Sequence, residues 1–341
     1  MDSFINHIEI KNFKSIRHLE IDGFKRINLF IGKPNVGKSN ILEALSIFTI
    51  PYLKNNLSKK LTDLIRLEES TQIFYEGNFN KETFVELNFS SDKKFRSTLT
   101  FNKEADQLLF SFRELTFNGN PPEMSDFFFS NLNLKSSGKN NSNSGKVKRY
   151  AFNIDSKLGK KTRLSFLNPP YGNNLMYVLE LLPELREVFT HWFKQYGLRL
   201  VLDKATNSLK IMKDNGLDVF IIPYSLIADT LQRIIFFKTA VASNTDSILV
   251  FEEPEAHSFP PYIAEFTQEV IHSDTNQFFI ATHSPIIVDD FLENAIDDLA
   301  IFMIDFKEGQ TVSRSLSETE IQEVFKYGID LFFNNESYSH S

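Results

Sequence analysis

The sequence predicts an α/β fold in which strands and helices alternate around a mixed antiparallel and parallel sheet, with an α+β insertion. Two patterns carry this prediction. A glycine-rich loop from Gly32 to Ser39 follows an apolar run and precedes a helical pattern. Far along the chain, the apolar run from Ile248 to Phe251 ends in Glu252 and Glu253. Strand, glycine loop and helix form a phosphate-binding unit, and a carboxylate at a strand end supplies its acidic half.

The predicted strands are short apolar or alternating runs rich in β-branched and aromatic residues. They lie around Ile8, around Leu19, and at Ile27 to Ile31, Thr83 to Phe89, Ser97 to Phe101, Val219 to Ile222, Ile248 to Phe251 and Phe278 to Ile280. Helical spacing predicts helices from Ser39 to Phe48, early in residues 50–118, from Asn173 to Tyr196, from Ser225 to Val241 and from Pro260 to His272. This alternation favours a parallel sheet in the second half of the chain.

The middle of the chain has the composition of an insertion. We expect residues 1–118 and 215–341 to form one discontinuous domain, and residues 119–214 to form the insertion. The insertion would contain a polar basic loop at about 132–163, a helix, and a β-hairpin around Thr206. Between Lys135 and Arg163 there are nine basic residues and one acid. A solvated loop is the simpler interpretation of this stretch, and contact with nucleic acid is the alternative.

Composition excludes several classes of protein. The 341 residues are 42% hydrophobic and contain no cysteine, so a disulfide framework and thiolate metal sites are excluded. The N-terminal residues lack the pattern of a signal peptide, and charged groups interrupt every apolar segment before it reaches membrane-spanning length. We therefore expect a cytoplasmic protein without a membrane segment. The net charge of −7 argues against attraction of nucleic acid to the whole surface.

The glycine-rich loop fits the pattern G-x-x-x-x-G-K-[ST] of the P-loop NTPases. We expect it to hold the phosphates of a nucleotide through Gly32, Asn35, Val36, Gly37, Lys38, Ser39 and Asn40. Lys38 would neutralise the outer phosphates, and the Ser39 hydroxyl would coordinate Mg²⁺. A glycine turn that only caps a helix would require neither side chain.

Two carboxylates and a histidine follow buried strands. We expect Glu252 to be the second ligand of Mg²⁺, and Glu253 to polarise the attacking water. His283 comes directly after the strand that ends near Ala281. By itself, a histidine at such a position is more often a turn residue than a catalytic one.

These segments resemble those of the ABC-type ATPases of the RecF, SMC and OLD group. The resemblance lies in Ile8 to Ser15, the glycine-rich loop, Glu252 to His257, and Ala281 to Pro285. It implies an ATPase head that converts ATP and water to ADP and phosphate, with ATP and Mg²⁺ as cofactors. It also implies that Glu253 is the catalytic glutamate, that His283 senses the terminal phosphate, and that Lys14 contacts the nucleotide. Glu252 stands where the family usually has Asp.

Residues 223–233 resemble the signature segment of the OLD-like subgroup, which completes the ATP site of a facing subunit. Ser225 would thus contact the γ-phosphate in trans, and the chain would form a homodimer or a higher even-numbered oligomer through its ATP-bound heads. Ala228 and Thr230 stand where glycine is usual, so their side chains could obstruct the approach of a phosphate. The rate of hydrolysis stays open. Gln72 is a candidate for the Q-loop glutamine on rough position alone.

We expect no counterpart, within these 341 residues, of the nuclease domain of OLD proteins, which is called Toprim. Only 56 residues follow Pro285, and the acidic residues among them resemble a solvated helix end. Similar compact ATPases are subunits of anti-phage defence systems, so we expect ATP-driven dimerisation to regulate a separate effector protein, a nuclease or a toxin. The alternative is a DNA-repair or chromosome-maintenance ATPase that binds DNA directly. A small-molecule kinase would leave Glu253, Ser225 and His283 unexplained. A transporter subunit is less well supported, because the signature segment lacks its usual glycine pair.

Overall fold

The computed structural model describes residues 4–56, 58–116, 124–137, 146–155, 164–206 and 208–339. The chain divides into two compact units. Unit 1 comprises Met1–Arg149, Asp246–Glu253 and Thr275–Ser341, and unit 2 comprises Tyr150–Thr245 and Pro254–Asp274. None of the helices within the described ranges is long and apolar enough to cross a membrane.

The strands of the described residues follow one another along the chain with these bounds: β1 (Ile5–Phe13), β2 (Ile16–Asp22), β3 (Ile27–Ile31), β4 (Thr83–Phe89), β5 (Lys94–Asn102), β6 (Gln107–Glu114), β7 (Met124–Ser130), β8 (Asn133–Ser137), β9 (Val147–Tyr150), β10 (Arg199–Asp203), β11 (Ser208–Asp214), β12 (Val219–Pro223), β13 (Ile248–Glu252), β14 (Gln277–Ala281), β15 (Leu299–Lys307) and β16 (Gln310–Ser315).

The α-helices are α1 (Lys38–Ser46), α2 (Leu175–Leu181), α3 (Pro183–Lys194), α4 (Asp229–Ala242), α5 (Pro260–Ile271), α6 (Pro285–Asn294), α7 (Glu318–Tyr327) and α8 (Asn335–Ser339). Proline occupies the first turn of α3, α5 and α6, where its missing N–H would have no helical partner. Helix α7 begins with a capping box between Ser317 and Glu320 and ends at Gly328, whose φ of 61° suits glycine.

Unit 1 contains two sheets. The first is antiparallel throughout and has the order β2-β1-β4-β5-β6-β7-β8. The second has the order β16-β15-β3-β14-β13-β9, with β15, β3, β14 and β13 parallel and β16 antiparallel to β15. Every residue of β3 and β14 is buried, because these central strands are covered on both faces.

Helix α1 connects the two sheets. It contacts β13 and β14 of the second sheet and β1 of the first. Its apolar residues, including Ile41, Leu42 and Leu45, belong to one buried cluster with Ile8 of β1 and Val250 of β13. Burial of this cluster fixes the start of α1, and with it the glycine-rich loop, against the ends of β3 and β13.

Unit 2 combines helices with a small antiparallel sheet of order β10-β11-β12. Helix α4 packs against α5, and the Lys238 ammonium on α4 lies 3.0 Å from Glu265 and 2.9 Å from Glu269 on α5. Helix α3 packs against β10 and α4. The apolar residues Phe189 and Phe193 of α3 are buried within this unit.

The structure has the predicted fold class and most of the predicted strands, but several predicted helices need correction. The sequence predicts one helix from Asn173 to Tyr196, but the structure has two. Leu182, the residue before Pro183, has a non-helical backbone conformation that separates them. The helix predicted early in residues 50–118 is absent from the described residues there, which form 3₁₀ turns at Ile47–Asn55, Leu61–Asp63, Ser70–Ile73 and Tyr75–Gly77.

The predicted basic loop at about 132–163 is wrong for residues 133–137 and 147–150, which form β8 and β9. Lys148 and Arg149 on β9 are buried, so they do not belong to a solvated basic surface. Residues 138–145 and 156–163, which carry Lys160 and Lys161, lie outside the described residues. The limits of the head and insertion at 119 and 214 remain a proposal, and the compact units have different limits because β7 and β8 extend the first sheet of unit 1.

Candidate active site

The glycine-rich loop joins β3 to α1 in unit 1, and its backbone requires glycine at two positions. A Cβ atom at Gly32 would lie 2.2 Å from the carbonyl oxygen of Ile304. Gly37 has φ of 103°, and a Cβ atom there would lie 1.9 Å from Thr311 Oγ1. Asn35 also has a positive φ, of 64°. The loop therefore curls in a left-handed conformation that side chains would block, as a phosphate-binding loop does.

Lys38 begins α1 and curls back over the loop. Its side chain is buried, and Nζ donates hydrogen bonds of 2.8 Å to the carbonyl oxygens of Gly32 and Lys33. Burial lowers the Lys38 pKa to about 8, and the negative charges of Glu253 and Glu252 oppose this shift. The ammonium is thus held over the mouth of the loop, where an anionic ligand would favour its charged form.

A relay of side-chain hydrogen bonds fixes the loop from the side. Asn40 Nδ2 donates to Ser15 Oγ, the Ser15 and Thr311 hydroxyls are 2.6 Å apart, and Thr311 Oγ1 donates to the carbonyl oxygen of Val36 at 2.9 Å. The relay thus joins Asn40, after Gly37, to Val36, before Gly37. It holds the loop in its curled conformation through residues of β16 and the β1–β2 turn. Ser39, half-buried in the first turn of α1, lies between the two ends of the relay in sequence.

Glu252 ends β13, and its carboxylate meets two arginines. Arg66 Nη2 donates to Oε1 at 2.8 Å, and Arg149 Nη2 donates to Oε2 at 2.5 Å. The predicted metal ligand is therefore at the expected strand end, but it is engaged by two guanidinium groups that the sequence patterns did not indicate. Residues next to it in the parallel sheet, at the end of β14, lead to His283.

Glu253 and His283 form a carboxylate–imidazole pair at the other side of the site. Glu253 has φ of 45°, an unfavourable value for a residue with a side chain, and its N–H donates to the Ala281 carbonyl at 2.8 Å. This bond turns its half-exposed carboxylate toward His283, whose Nε2 lies 3.5 Å from Glu253 Oε1. Burial lowers the pKa of His283 and the positive charge of Lys38 lowers it further, whereas Glu253 raises it.

Lys14, the predicted nucleotide contact, is paired with a carboxylate. Its ammonium donates to Glu43 Oε2 at 2.5 Å and to the Arg66 carbonyl at 2.9 Å. Glu43, buried on α1, also accepts the Arg66 N–H at 3.1 Å. Lys14 therefore holds the segment around Arg66 against α1. Gln72, the rough candidate for the Q-loop, caps its own turn by accepting the N–H of Glu68 at 2.8 Å.

Ser225 lies in unit 2, in the 3₁₀ turn Tyr224–Leu226. The predicted helix start at Ser225 is wrong, because Ala228 has an extended backbone with ψ of 132° and α4 begins at Asp229. The buried Gln232 amide donates to the carbonyl oxygens of Ser225 and Ile227, at 3.4 and 3.0 Å, and so fixes the turn. The side chains of Ser225 and Ala228 are exposed.

Unit 1 thus brings the glycine-rich loop together with Glu252, Glu253 and His283, and Ser225 is presented on the surface of unit 2. Sequence reasoning missed the roles of Arg66, Arg149, Glu43 and Thr311. One signal was available, since Arg149 lies between the apolar residues of a short strand pattern. Thr311 carried no signal, because its contact with the loop spans 275 positions along the chain.

Comparison with known proteins supports the class of the site. Residues 4–169 match the family of AAA ATPase domains. The DNA replication and repair protein RecF of Leptospira interrogans is 33% identical over 104 residues, which are 30% of this chain and 28% of RecF. An ATP/GTP phosphatase of Helicobacter pylori is 51% identical over 41 residues, 12% of this chain and 11% of that protein. The matches thus span less than a third of the length of these curated relatives.

Two solved structures of Smc heads share the fold. The SmcHead bound to the C-winged helix domain of ScpA superposes with a TM-score of 0.53 at 16% identity and covers 93% of this chain and 99% of its own. The second is an Smc head with an extended coiled coil, bound to the C-terminal domain of ScpA derived from Pyrococcus furiosus. It has a TM-score of 0.52 at 14% identity, and the match covers 95% of this chain and 99% of that head. The chain thus has the fold of these heads, and residues 4–169 are similar to AAA ATPase domains.

Proposed function

We propose that this chain binds ATP with Mg²⁺ and hydrolyses it in a site shared between two copies. The observation that carries the proposal is the convergence of three groups on one loop. The buried Lys38 ammonium lies over the loop mouth. The charge of Glu253 raises the pKa of Lys38, and the charge of Lys38 lowers the pKa of His283. Glu253 Oε1 and His283 Nε2 are 3.5 Å apart. A phosphate-binding loop beside a carboxylate and an imidazole is suited to the hydrolysis of a phosphoanhydride bond.

The residues fit a nucleotide. The loop requires glycine at positions 32 and 37, as expected of a backbone that approaches phosphate groups closely. Lys38 is held by two neutral carbonyl oxygens and lies near two carboxylates, so it can exchange carbonyl contacts for phosphate oxygens at small cost. Ser39 and Glu252 would hold Mg²⁺, which supplies charge neutralisation to the phosphates when bound.

Glu253 is the residue that we assign to proton handling. Its carboxylate is half-exposed and lies beside the loop, so it can accept a hydrogen bond from an attacking water. His283 is kept neutral by burial and by Lys38, so one ring nitrogen can donate to a phosphate oxygen while the other accepts. The strained backbone of Glu253 keeps the carboxylate at this position.

The second copy would contribute Ser225. Its hydroxyl is exposed on a turn whose backbone is fixed by Gln232, which is the arrangement needed to present a hydroxyl to an external ligand. Ala228 is exposed and the Thr230 hydroxyl donates to the His257 carbonyl at 3.2 Å. The Thr230 side chain is thus turned toward its own unit, which reduces the obstruction expected from its replacement of glycine.

We further propose that ATP-dependent dimerisation regulates a separate effector protein, a nuclease or toxin, in prokaryotic anti-phage defence. This assignment rests on resemblance to compact OLD-like ATPases and on no residue of the site. Copurification of an effector encoded beside this chain, retained with ATP and lost in Lys38→Ala, would support it. An effector whose activity is the same with and without this chain would exclude it.

Direct action on DNA is the second candidate, because the chain is similar over 104 residues to RecF, a DNA replication and repair protein. It predicts DNA affinity that falls steeply with salt. Equilibrium binding of duplex DNA between low and physiological salt, in wild type and in Lys160→Glu/Lys161→Glu, tests it. No salt-dependent binding by the wild type excludes this candidate.

Steady-state phosphate release tests the proposed chemistry. We expect measurable turnover in the wild type, none in Lys38→Ala, and bound but unhydrolysed ATP in Glu253→Gln. Arg17→Gln, on the exposed edge strand β2, is the control and should retain wild-type turnover. Undiminished turnover in both site variants would exclude the proposal.

A further inference from the structure

The Glu252 carboxylate has a different cation on each oxygen. Arg149 contacts Oε2 and Arg66 contacts Oε1, at 2.5 and 2.8 Å. The carboxylate itself is nearly buried, with its side chain 9% exposed. A buried carboxylate requires such partners, since it would otherwise lose its hydration without compensation.

Arg149 is anchored through both terminal nitrogens of its guanidinium group and through its backbone, whereas its buried Nε has no hydrogen-bond partner among the described residues. Its side chain is 7% exposed, its Nη1 donates to the Leu64 carbonyl at 2.7 Å, and its backbone N–H donates to Thr49 Oγ1 at 3.0 Å. It also belongs to β9, which lies next to β13 in the sheet. Moving this guanidinium away from Glu252 would leave a charge buried without its partner, so breaking the contact is costly.

Arg66 is fixed through its backbone, whereas its side chain makes an exposed contact with Glu252. Its N–H donates to Glu43 Oε1 and its carbonyl accepts the Lys14 ammonium, at 3.1 and 2.9 Å. Its side chain is 70% exposed. An ion pair of such an exposed group contributes little, and the guanidinium can leave Oε1 for water without desolvation cost.

A divalent cation and Arg66 compete for the same oxygen. Mg²⁺ binds carboxylate oxygens at roughly 2.0–2.1 Å, and a guanidinium within hydrogen-bond distance of that oxygen would repel it. The Arg149 contact leaves Oε2 occupied and so directs Oε1 to the metal. The two arginines therefore act in opposite directions on one carboxylate.

We propose that Arg149 is a positioning residue that holds Glu252 for metal binding, and that Arg66 neutralises Oε1 until the nucleotide-bound metal displaces it. The inference rests on the proposed ATP and Mg²⁺ site. It explains how Glu252, longer than the usual Asp, keeps a defined position: the arginine on Oε2 fixes the end of the longer side chain.

The test measures the affinity of Mn²⁺, used in place of Mg²⁺, for the protein saturated with a non-hydrolysable ATP analogue. Free Mn²⁺ is read by electron paramagnetic resonance, so no turnover is needed. We expect Arg149→Gln to weaken Mn²⁺ binding about tenfold, as loss of a group that orients a metal ligand does. Arg149→Lys should restore part of it. Arg66→Gln should tighten Mn²⁺ binding by about two- to fivefold, the value of an exposed ion pair.

Opposite signs for the two arginines support the inference, and Arg17→Gln should match the wild type. Weaker or unchanged Mn²⁺ binding in Arg66→Gln overturns it. Because Arg66 is exposed, this variant decides the matter even if thermal unfolding finds Arg149→Gln misfolded. A wild type that binds no nucleotide overturns the proposed function and this inference together, whereas nucleotide binding without divergence of the arginine variants overturns this inference alone.

Discussion

Thr311 on β16 donates its hydroxyl to the carbonyl oxygen of Val36, inside the glycine-rich loop, at 2.9 Å. Thr311 is fully buried, and its hydroxyl also lies 2.6 Å from Ser15 Oγ. A strand near the end of the chain thus fixes the conformation of a loop near its beginning. The loop is held by the surrounding sheet and not only by its own glycines.

Replacing Thr311 by valine should therefore weaken both the fold and nucleotide binding. The change keeps the shape but leaves the Val36 carbonyl and the Ser15 hydroxyl with one partner fewer, at a cost of about 1–3 kcal/mol in unfolding free energy. Urea denaturation and ATP titration measure the two effects. Thr311→Ser keeps the hydroxyl and should retain the ATP affinity of the wild type. Equal ATP affinities in the valine and serine variants would show that the hydrogen bond does not hold the loop.

The depressed pKa of Lys38 predicts a link between ATP binding and proton uptake. Burial lowers this pKa to about 8, so the free protein loses the Lys38 proton as the pH rises through that value. Phosphate oxygens favour the charged form, so ATP binding above pH 8 should take up a proton, and affinity should fall by up to about tenfold per pH unit there.

Calorimetry of ATP binding in two buffers of different ionisation enthalpy, at pH 7 and pH 9, measures this proton uptake. Lys38→Arg is the control, because a guanidinium stays charged throughout this range. Its binding should show no proton uptake at Lys38. Proton-neutral binding by the wild type at pH 9 would contradict the assignment of Lys38 to the phosphates.

The His283 pKa should respond in opposite directions to its two charged neighbours. Lys38 lowers this pKa and Glu253 raises it, while burial is the largest cause of its depression below 6.5. Lys38→Ala should therefore raise the His283 pKa, and Glu253→Gln should lower it further. NMR titration of the His283 ring resolves both shifts. Shifts of the same sign would mean that the three groups do not share one site.

Sequence reasoning predicted much of the fold because the elements have strong local signals. The runs at Ile27 to Ile31 and Ile248 to Phe251 are apolar on both faces, as expected of central parallel strands, and both form them. The helix breaks were harder. Leu182 and Ala228 interrupt continuous helical patterns through backbone angles, and only Pro183 offered a local signal.

Candidate site residues could be predicted where they lie within one short segment. Contacts between segments that are distant in sequence could not be predicted. The loop residues and the strand-end carboxylates lie within two motifs, so spacing alone indicated them. Glu252 and its two partners come from three separate parts of the chain, at the end of β13, at Arg66 and at Arg149. Lys14 pairs with Glu43, a buried carboxylate on α1, and this contact between distant segments had no local signal in the sequence.

The central claim is that one ATP site is built from two copies, with Lys38 from one and Ser225 from the other. Phosphate release by a mixture of Lys38→Ala and Ser225→Arg tests it most directly. In a mixed dimer one site carries both defects and the other carries neither, so we expect the mixture to regain turnover that each variant lacks alone. If the mixture, with mixed dimers verified by differential tags, is as inactive as its components, the site is not shared between two copies.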